Sequence, residues 1–260
     1  MSQAVLHSVK EGQGPLVVLS HALGCDLGMW DGVADRLAAH YTVLRYDHRG
    51  HGGSSVPPGP YSIDMLADDA AELIRAQGAG PVHFVGLSMG GMTAQSLAAR
   101  YPDLVNSVVI ANSASYYDEA ARGMWNARVD TVLAKGIAPI ADGAMQRWFT
   151  PEFRADVAGG GAARVAALRA RLEQLDAPAY AASCLAVSAI DFRSSNTGIR
   201  CPALVIAGTR DEATPVSMSE AIQASIAGAQ LRTLDAAHLS AVEQPQAFAA
   251  LVEAFLKGIE

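Results

Sequence analysis

Val82-His83-Phe84-Val85-Gly86-Leu87-Ser88-Met89-Gly90-Gly91 decides how the rest of the chain is read. The segment reads as a buried strand that ends in Gly-Leu-Ser-Met-Gly, with a helix from Gly91 to Arg100 behind it. A serine there sits on a strained strand-to-helix turn. Small residues two before and two after it let the backbone fold that sharply. The turn lifts the Ser88 hydroxyl above the sheet edge and aims N–H groups of the helix N-terminus at a developing negative charge. The five-letter pattern alone arises by chance in a chain this rich in glycine and serine with odds of roughly one in six, so the flanking strand and helix carry the argument.

The surrounding sequence repeats the same alternation. Leu16–Ser20, Val43–Tyr46, Val105–Ala111, Pro202–Gly208 and Gln230–Leu234 read as strands, most of them apolar runs of buried-strand length, and Ala4–Val9 is a weaker leading strand. Helical spacing links them: Met29–His40, a helix capped by Ser62 and closed by Gly78 and Gly80, one near Ser217–Ile226, and a last one from Gln246 to Lys257. Strand-helix-strand order with buried strands predicts an α/β fold, a mostly parallel sheet covered by helices on both faces. The alternation stops near Asn112 and resumes after Ile190. Residues 114–190 keep helical periodicity without a convincing strand, which predicts an all-helical cap inserted into a core formed by 1–113 and 191–260. The Gly159-Gly160-Gly161 run within it reads as a helix connection.

Composition narrows the partners. A chain of 260 residues, half of them hydrophobic, can fill one large core. The net charge of −7 argues against nucleic acid or an anionic membrane, and an anionic ligand must be met by a local cation. No apolar stretch reaches membrane-span length, and Met1–His7 lacks the pattern of a signal peptide. Cys25, Cys184 and Cys201 are an odd number at unrelated spacings, expected to be free thiols. A cytoplasmic protein is the expectation.

A nucleophilic serine needs a base, and the base needs an orienting carboxylate. For a serine on this kind of turn the partners follow in the order acid, then histidine. Asp211 follows the late strand Leu204–Gly208, and His238 follows the last strand in Leu234-Asp235-Ala236-Ala237-His238. Asp235 is the rival acid, only three residues before the histidine and at a strand end. The first backbone donor for an oxyanion is expected at Met89 and the second at Leu23, in His21-Ala22-Leu23-Gly24 after the Leu16–Ser20 strand. His21, at the mouth of that loop, is expected to hold it by hydrogen bonds and not to act as the base. His48 and His51 resemble a metal pair but have no third ligand at sensible spacing, so no metal and no cofactor are expected.

Together these features resemble the α/β-hydrolase superfamily across the whole chain. Within it the chain resembles the 3-oxoadipate enol-lactonases of aromatic catabolism. The matching stretches are Leu27-Gly28-Met29-Trp30, Val43–Gly52, Pro58–Tyr61, Gly86–Gly91, Met124–Arg128, Arg147–Thr150 and Ala237–Pro245. One departure lies in the oxyanion loop, where those lactonases carry Asn-Ser-Leu-Gly and this chain has His21-Ala22-Leu23-Gly24, closer to the general esterase form. The resemblance implies hydrolysis of a small lactone or ester through an acyl-enzyme, with 3-oxoadipate enol-lactone as the implied substrate of the β-ketoadipate pathway. That lactone carries a carboxylate, so the resemblance also implies a cation in the pocket. Arg128, one helical turn from Trp125, and Trp148 beside Arg147 are the candidates. Equally, both indoles could be packed in the helical segment and both arginines solvated. Other readings of the same residues are a general carboxylesterase or other lactonase, a cofactor-free perhydrolase, and a small-molecule receptor on the same fold.

Overall fold

The computed structural model describes residues 4–78 and 80–259. Its strands are β1 (Ser8–Glu11), β2 (Leu16–Ser20), β3 (Thr42–Tyr46), β4 (Val82–Leu87), β5 (Val105–Ala111), β6 (Ala203–Gly208) and β7 (Gln230–Leu234). They form one sheet in the order β1-β3-β2-β4-β5-β6-β7. Only β1 is antiparallel, paired with β3 from Ser8 opposite Tyr46 to Glu11 opposite Val43. That pairing sets β1 later than the sequence pattern of Ala4–Val9 suggests, because the ladder continues into the expected turn at Glu11.

Alternation along the strands feeds two separate cores. Val17, Leu19, Val43, Val85 and Val109 face α1 (Asp31–Leu37) and α11 (Pro245–Lys257). Val18, Leu44, Phe84, Val108 and Val205 face α2 (Ile63–Ala76), α3 (Met89–Arg100) and α9 (Val216–Ser225). The Ser62 hydroxyl caps α2 by accepting the Met65 N–H at 3.1 Å, which fixes where that helix starts. The pattern at Met29–His40 resolves into a short 3₁₀ turn, Leu27–Trp30, and then α1. The Asp26 carboxylate caps the 3₁₀ turn through the Gly28 N–H, so the first turn winds more tightly than an α-helix.

Between β5 and β6 the chain forms α4 (Glu119–Lys135), α5 (Ala138–Trp148), α6 (Pro151–Ala155), α7 (Gly161–Glu173) and α8 (Ala177–Ser188). Its one strand-like feature among the described residues is an isolated bridge from Tyr116 to Asp191 that closes the insertion at its base. A four-residue helix, α10 (Ser240–Glu243), precedes α11. Among the described residues no helix is long and apolar enough to cross a membrane.

The strand order has a consequence for function. After β2 the chain moves outward to β3, then returns across β2 to place β4 on its other side. The carboxyl ends of β2 and β4 therefore open side by side at a topological switch point, where ligands of open α/β sheets bind. The packing at this point is backbone on backbone. A Cβ added at Gly90 would lie 2.0 Å from the Ser20 carbonyl oxygen, and one at Gly86 would lie 2.0 Å from the Gly90 oxygen. Gly86→Ala is expected to lower the free energy of unfolding by about 3 kcal/mol or more, because neither neighbour is a side chain that can swing away. Urea denaturation measures this, and a loss below about 1 kcal/mol would mean the turn relaxes around the added methyl.

Candidate active site

Ser88 links β4 to α3 with φ 57° and ψ −114°, a backbone conformation that non-glycine residues rarely occupy. The turn is tied down on both sides. Its N–H donates to the Ala111 carbonyl at 2.9 Å, and its carbonyl accepts from Ser113 Oγ at 2.9 Å. Both partners lie at the end of β5, so the neighbouring strand fixes the height of the hydroxyl.

Two other sheet ends converge on it. His238, in the loop between β7 and α10, places Nε2 2.9 Å from Ser88 Oγ. Its Nδ1 lies 2.9 Å from Asp211 Oδ2, in the loop after β6. Asp211 is itself held by four donors. Its Oδ1 accepts the N–H groups of Ala213 and Thr214 at 2.8 and 2.9 Å. Its Oδ2 accepts the Thr214 hydroxyl at 2.7 Å and Asn112 Nδ2 at 3.0 Å. Burial pushes the Asp211 carboxyl up, but the neighbouring His238 charge and these hydrogen bonds outweigh it and hold the group down at about 2. Asp235, the rival from the sequence, is exposed and pairs with Arg210 at 3.1 Å.

Asn112 was not legible as a site residue. At φ 44° it turns the chain out of β5, and its amide reaches Asp211 and the Ala237 carbonyl while its oxygen accepts from Ser240 Oγ at 2.6 Å. It links the acid loop to the histidine loop. The only sequence signal is an asparagine, tolerant of positive φ, where strand alternation breaks off.

The loop after β2 is built around three fully buried histidines. His21 Nδ1 lies 2.8 Å from the Ala22 carbonyl, and its Nε2 accepts the His48 N–H at 2.9 Å. His51 Nε2 accepts the Gly24 N–H at 3.2 Å while its Nδ1 faces the Arg49 carbonyl at 3.1 Å. Each ring thus needs one donor and one acceptor nitrogen, the neutral form. The Ala22 carbonyl also accepts the Cys25 N–H at 3.1 Å. A trans peptide aims the Leu23 N–H away from that pinned carbonyl; the N–H has no hydrogen-bond partner among the described residues, and Leu23 lines the same cavity as Ser88. Met89 opens α3, so its N–H has no helical acceptor either. His48 and His51 both serve as hydrogen-bond partners to the loops: His48 Nε2 lies 2.9 Å from Ser20 Oγ.

Ser88, His238 and Leu23 share a cavity of about 430 Å³ with Trp125, Arg128 and Trp148. Arg128 lies over the Trp125 ring at 4.4 Å from its centroid, and its charge acts on the buried Tyr180 hydroxyl. Arg147 lines the same cavity. Burial, and then the charge of Arg128, lower the affinity of its guanidinium for its proton below the usual value. Among the described residues neither arginine forms an ion pair. Trp148 serves two purposes: it packs in the core, and its edge meets Gly24 and so reaches the loop that carries Leu23.

A family profile described as the α/β-hydrolase fold matches residues 15–245. The chain belongs to the α/β-hydrolase family. It is 40% identical over 243 residues to 3-oxoadipate enol-lactonase 2 of Acinetobacter baylyi, covering 94% of this chain and 89% of that protein. The crystal structure of the enol-lactonase from Burkholderia xenovorans superposes with a TM-score of 0.91 at 37% identity, over 97% of this chain and 96% of the other. A thermophilic esterase from Thermogutta terrifontis, solved with malate bound, also reaches 0.91, at 26% identity over 98% and 93% of the two chains.

The histidine cluster predicts acid sensitivity. Burial, then the charge of His21, lowers His51 from 6.5 to about 3, and burial likewise lowers His21 and His48. Below pH 6.5 the unfolded chain takes up protons that the folded chain refuses. Stability is therefore fully present above pH 6.5 and falls as pH drops toward 3, by up to about 1.4 kcal/mol per pH unit for each such histidine. Urea unfolding between pH 7.5 and 5 should show this slope, and His51→Gln should flatten it. An unchanged slope in the variant would remove His51 from the explanation.

Proposed function

We propose that this carboxylic ester hydrolase opens 3-oxoadipate enol-lactone to 3-oxoadipate through an acyl-enzyme on Ser88. The observation that carries the reading is the unbroken Ser88–His238–Asp211 hydrogen-bond line opening into a cavity that also holds an unpaired arginine stacked on an indole. The enol-lactonase relatives support the substrate.

In this mechanism His238 Nε2 takes the Ser88 proton as Oγ attacks the ring carbonyl. Asp211 holds the imidazole in the tautomer with hydrogen on Nδ1 and stabilises the cation that forms. Negative charge develops on the carbonyl oxygen and is met by the N–H groups of Leu23 and Met89. Collapse breaks the ring C–O bond and expels the enol oxygen, which takes the proton from His238. Water then attacks the acyl-enzyme with His238 again as base, the acyl–Oγ bond breaks as His238 returns the proton to Ser88, and the released enol tautomerises to the ketone. The reaction uses no cofactor or metal.

Residues 114–190 act as a cap that supplies substrate recognition. Arg128 binds the carboxylate of the lactone, with Trp125 and Trp148 flanking the ring. Stacking on Trp125 holds the guanidinium in place before substrate arrives, so less side-chain entropy is lost on binding.

Ser88→Ala is expected to abolish turnover and leave the fold intact, since the turn is held by backbone contacts. Asp211→Asn is expected to cost about 10⁴ in kcat, the size seen when the same hydrogen bond is disrupted in serine proteases. Near-normal activity in Asp211→Asn would contradict the assignment of the acid. For the substrate, Arg128→Ala should lower kcat/KM on 3-oxoadipate enol-lactone about 10²-fold, the size of one lost charge-assisted hydrogen bond. A neutral p-nitrophenyl ester should be hardly affected. Equal losses on both substrates would make Arg128 a structural residue and remove the argument for an anionic substrate.

A further inference from the structure

The histidine loop is clamped from both flanks by bonds that lie outside the Ser88–His238–Asp211 line. The Leu239 N–H donates to the Trp148 carbonyl at 3.0 Å. The Ala237 N–H donates to Glu243 Oε2 at 2.9 Å. The other oxygen of that carboxylate, Oε1, accepts the Thr150 N–H. One side chain at the end of α10 therefore joins the backbone just before His238 to the turn just after Trp148. Arg147 and Trp148, the last two residues of α5 before that turn, line the substrate cavity.

We propose that Glu243 is a positioning residue, whose carboxylate locks the His238 loop to the 148–150 turn and so fixes the imidazole over Ser88. The proposal rests on the reading of His238 as the base. Both groups that reach Glu243 are N–H donors. An ionised carboxylate offers an acceptor oxygen to each, whereas a glutamine must turn its NH₂ toward one of them. E243Q thus keeps the volume and sets donor against donor at one bond. Shifting a reacting group by about 1 Å can cost on the order of 10² in rate, so small slack in this clamp reaches the chemistry.

The assay uses the full chain and p-nitrophenyl acetate, a neutral ester that makes no contact requiring Arg128. E243Q is expected to lower kcat by about 10-fold to 10²-fold with KM changed less than about threefold. The pH profile of kcat/KM should shift with it, because the base is no longer held at one distance from Asp211. A second pair of variants isolates the other bond. Thr150 has φ −61° and Phe149 before it φ −134°, ψ 143°, both compatible with proline at position 150. T150P removes the N–H and the hydroxyl cap, whereas T150A removes the hydroxyl alone. T150P is expected to turn over about tenfold more slowly than T150A.

If E243Q and T150P stay within twofold of wild type and T150A respectively, and only the melting temperature falls, Glu243 is a brace for the fold and the proposal is overturned. If E243Q does not fold, the comparison of T150P with T150A decides alone. H238Q is assayed alongside. Substantial activity in H238Q would overturn the assignment of the base itself, whereas inactive H238Q beside normal E243Q overturns only the role of Glu243.

Discussion

Everything at this site depends on one backbone reversal, the passage from β4 into α3 at Ser88. A residue held at φ 57° costs on the order of 1–3 kcal/mol and persists only where its surroundings over-determine it. Here the surroundings are backbone atoms. Gly86 and Gly90 pack against each other and against Ser20, while Ala111 and Ser113 bind the turn from β5. The sheet order then supplies the rest without further strain. β2 lies on one side of β4 and delivers the loop with Leu23, and β5 on the other side delivers Asn112. The two loops that Asn112 bridges belong to β6 and β7, the next strands in order.

The electrostatics fall into two regions that do not mix. Behind the sheet edge is a neutral network in which His21 and His51 each donate from one nitrogen and accept at the other. Protonating either ring would set a proton against an N–H and release the loop that carries Leu23. In front of it is a cavity with two arginines that pair with no acid among the described residues, in a chain of net charge −7. The bulk field of such a protein repels an anion, so the anionic substrate proposed above would be met by these guanidinium groups only over short range, within about a Debye length.

The sheet was largely legible from the sequence. β2 and β5 coincide with the apolar runs at Leu16–Ser20 and Val105–Ala111, because a strand buried on both faces announces itself by composition, and β7, at the sheet edge, falls on the strand expected at Gln230–Leu234. The positions of Ser88, Asp211 and His238 followed from strand ends, and the geometry brings the three side chains into hydrogen-bond contact. Asn112, Thr214 and Glu243 were not legible as site residues. Each is a single polar residue in a turn or short helix, and the contacts of Asn112 and Glu243 cross 99 and 93 positions of sequence. Local periodicity carries no trace of such contacts. α10 was missed because four residues are too few to display a helical period. Trp148 could not be assigned to either core or cavity from sequence, and the structure gives it both.

The most direct measurement is to locate the nucleophile chemically. The protein is treated with a fluorophosphonate, digested and mapped by mass spectrometry, with and without excess 3-oxoadipate. A serine activated by His238 and facing an oxyanion hole should be phosphonylated stoichiometrically on the peptide containing Ser88, and the dicarboxylate should slow that labelling by occupying the cavity. Label on another residue, or no label in a protein that still opens the lactone, would contradict the mechanism. Label on Ser88 that 3-oxoadipate does not slow would leave the nucleophile in place and contradict the substrate.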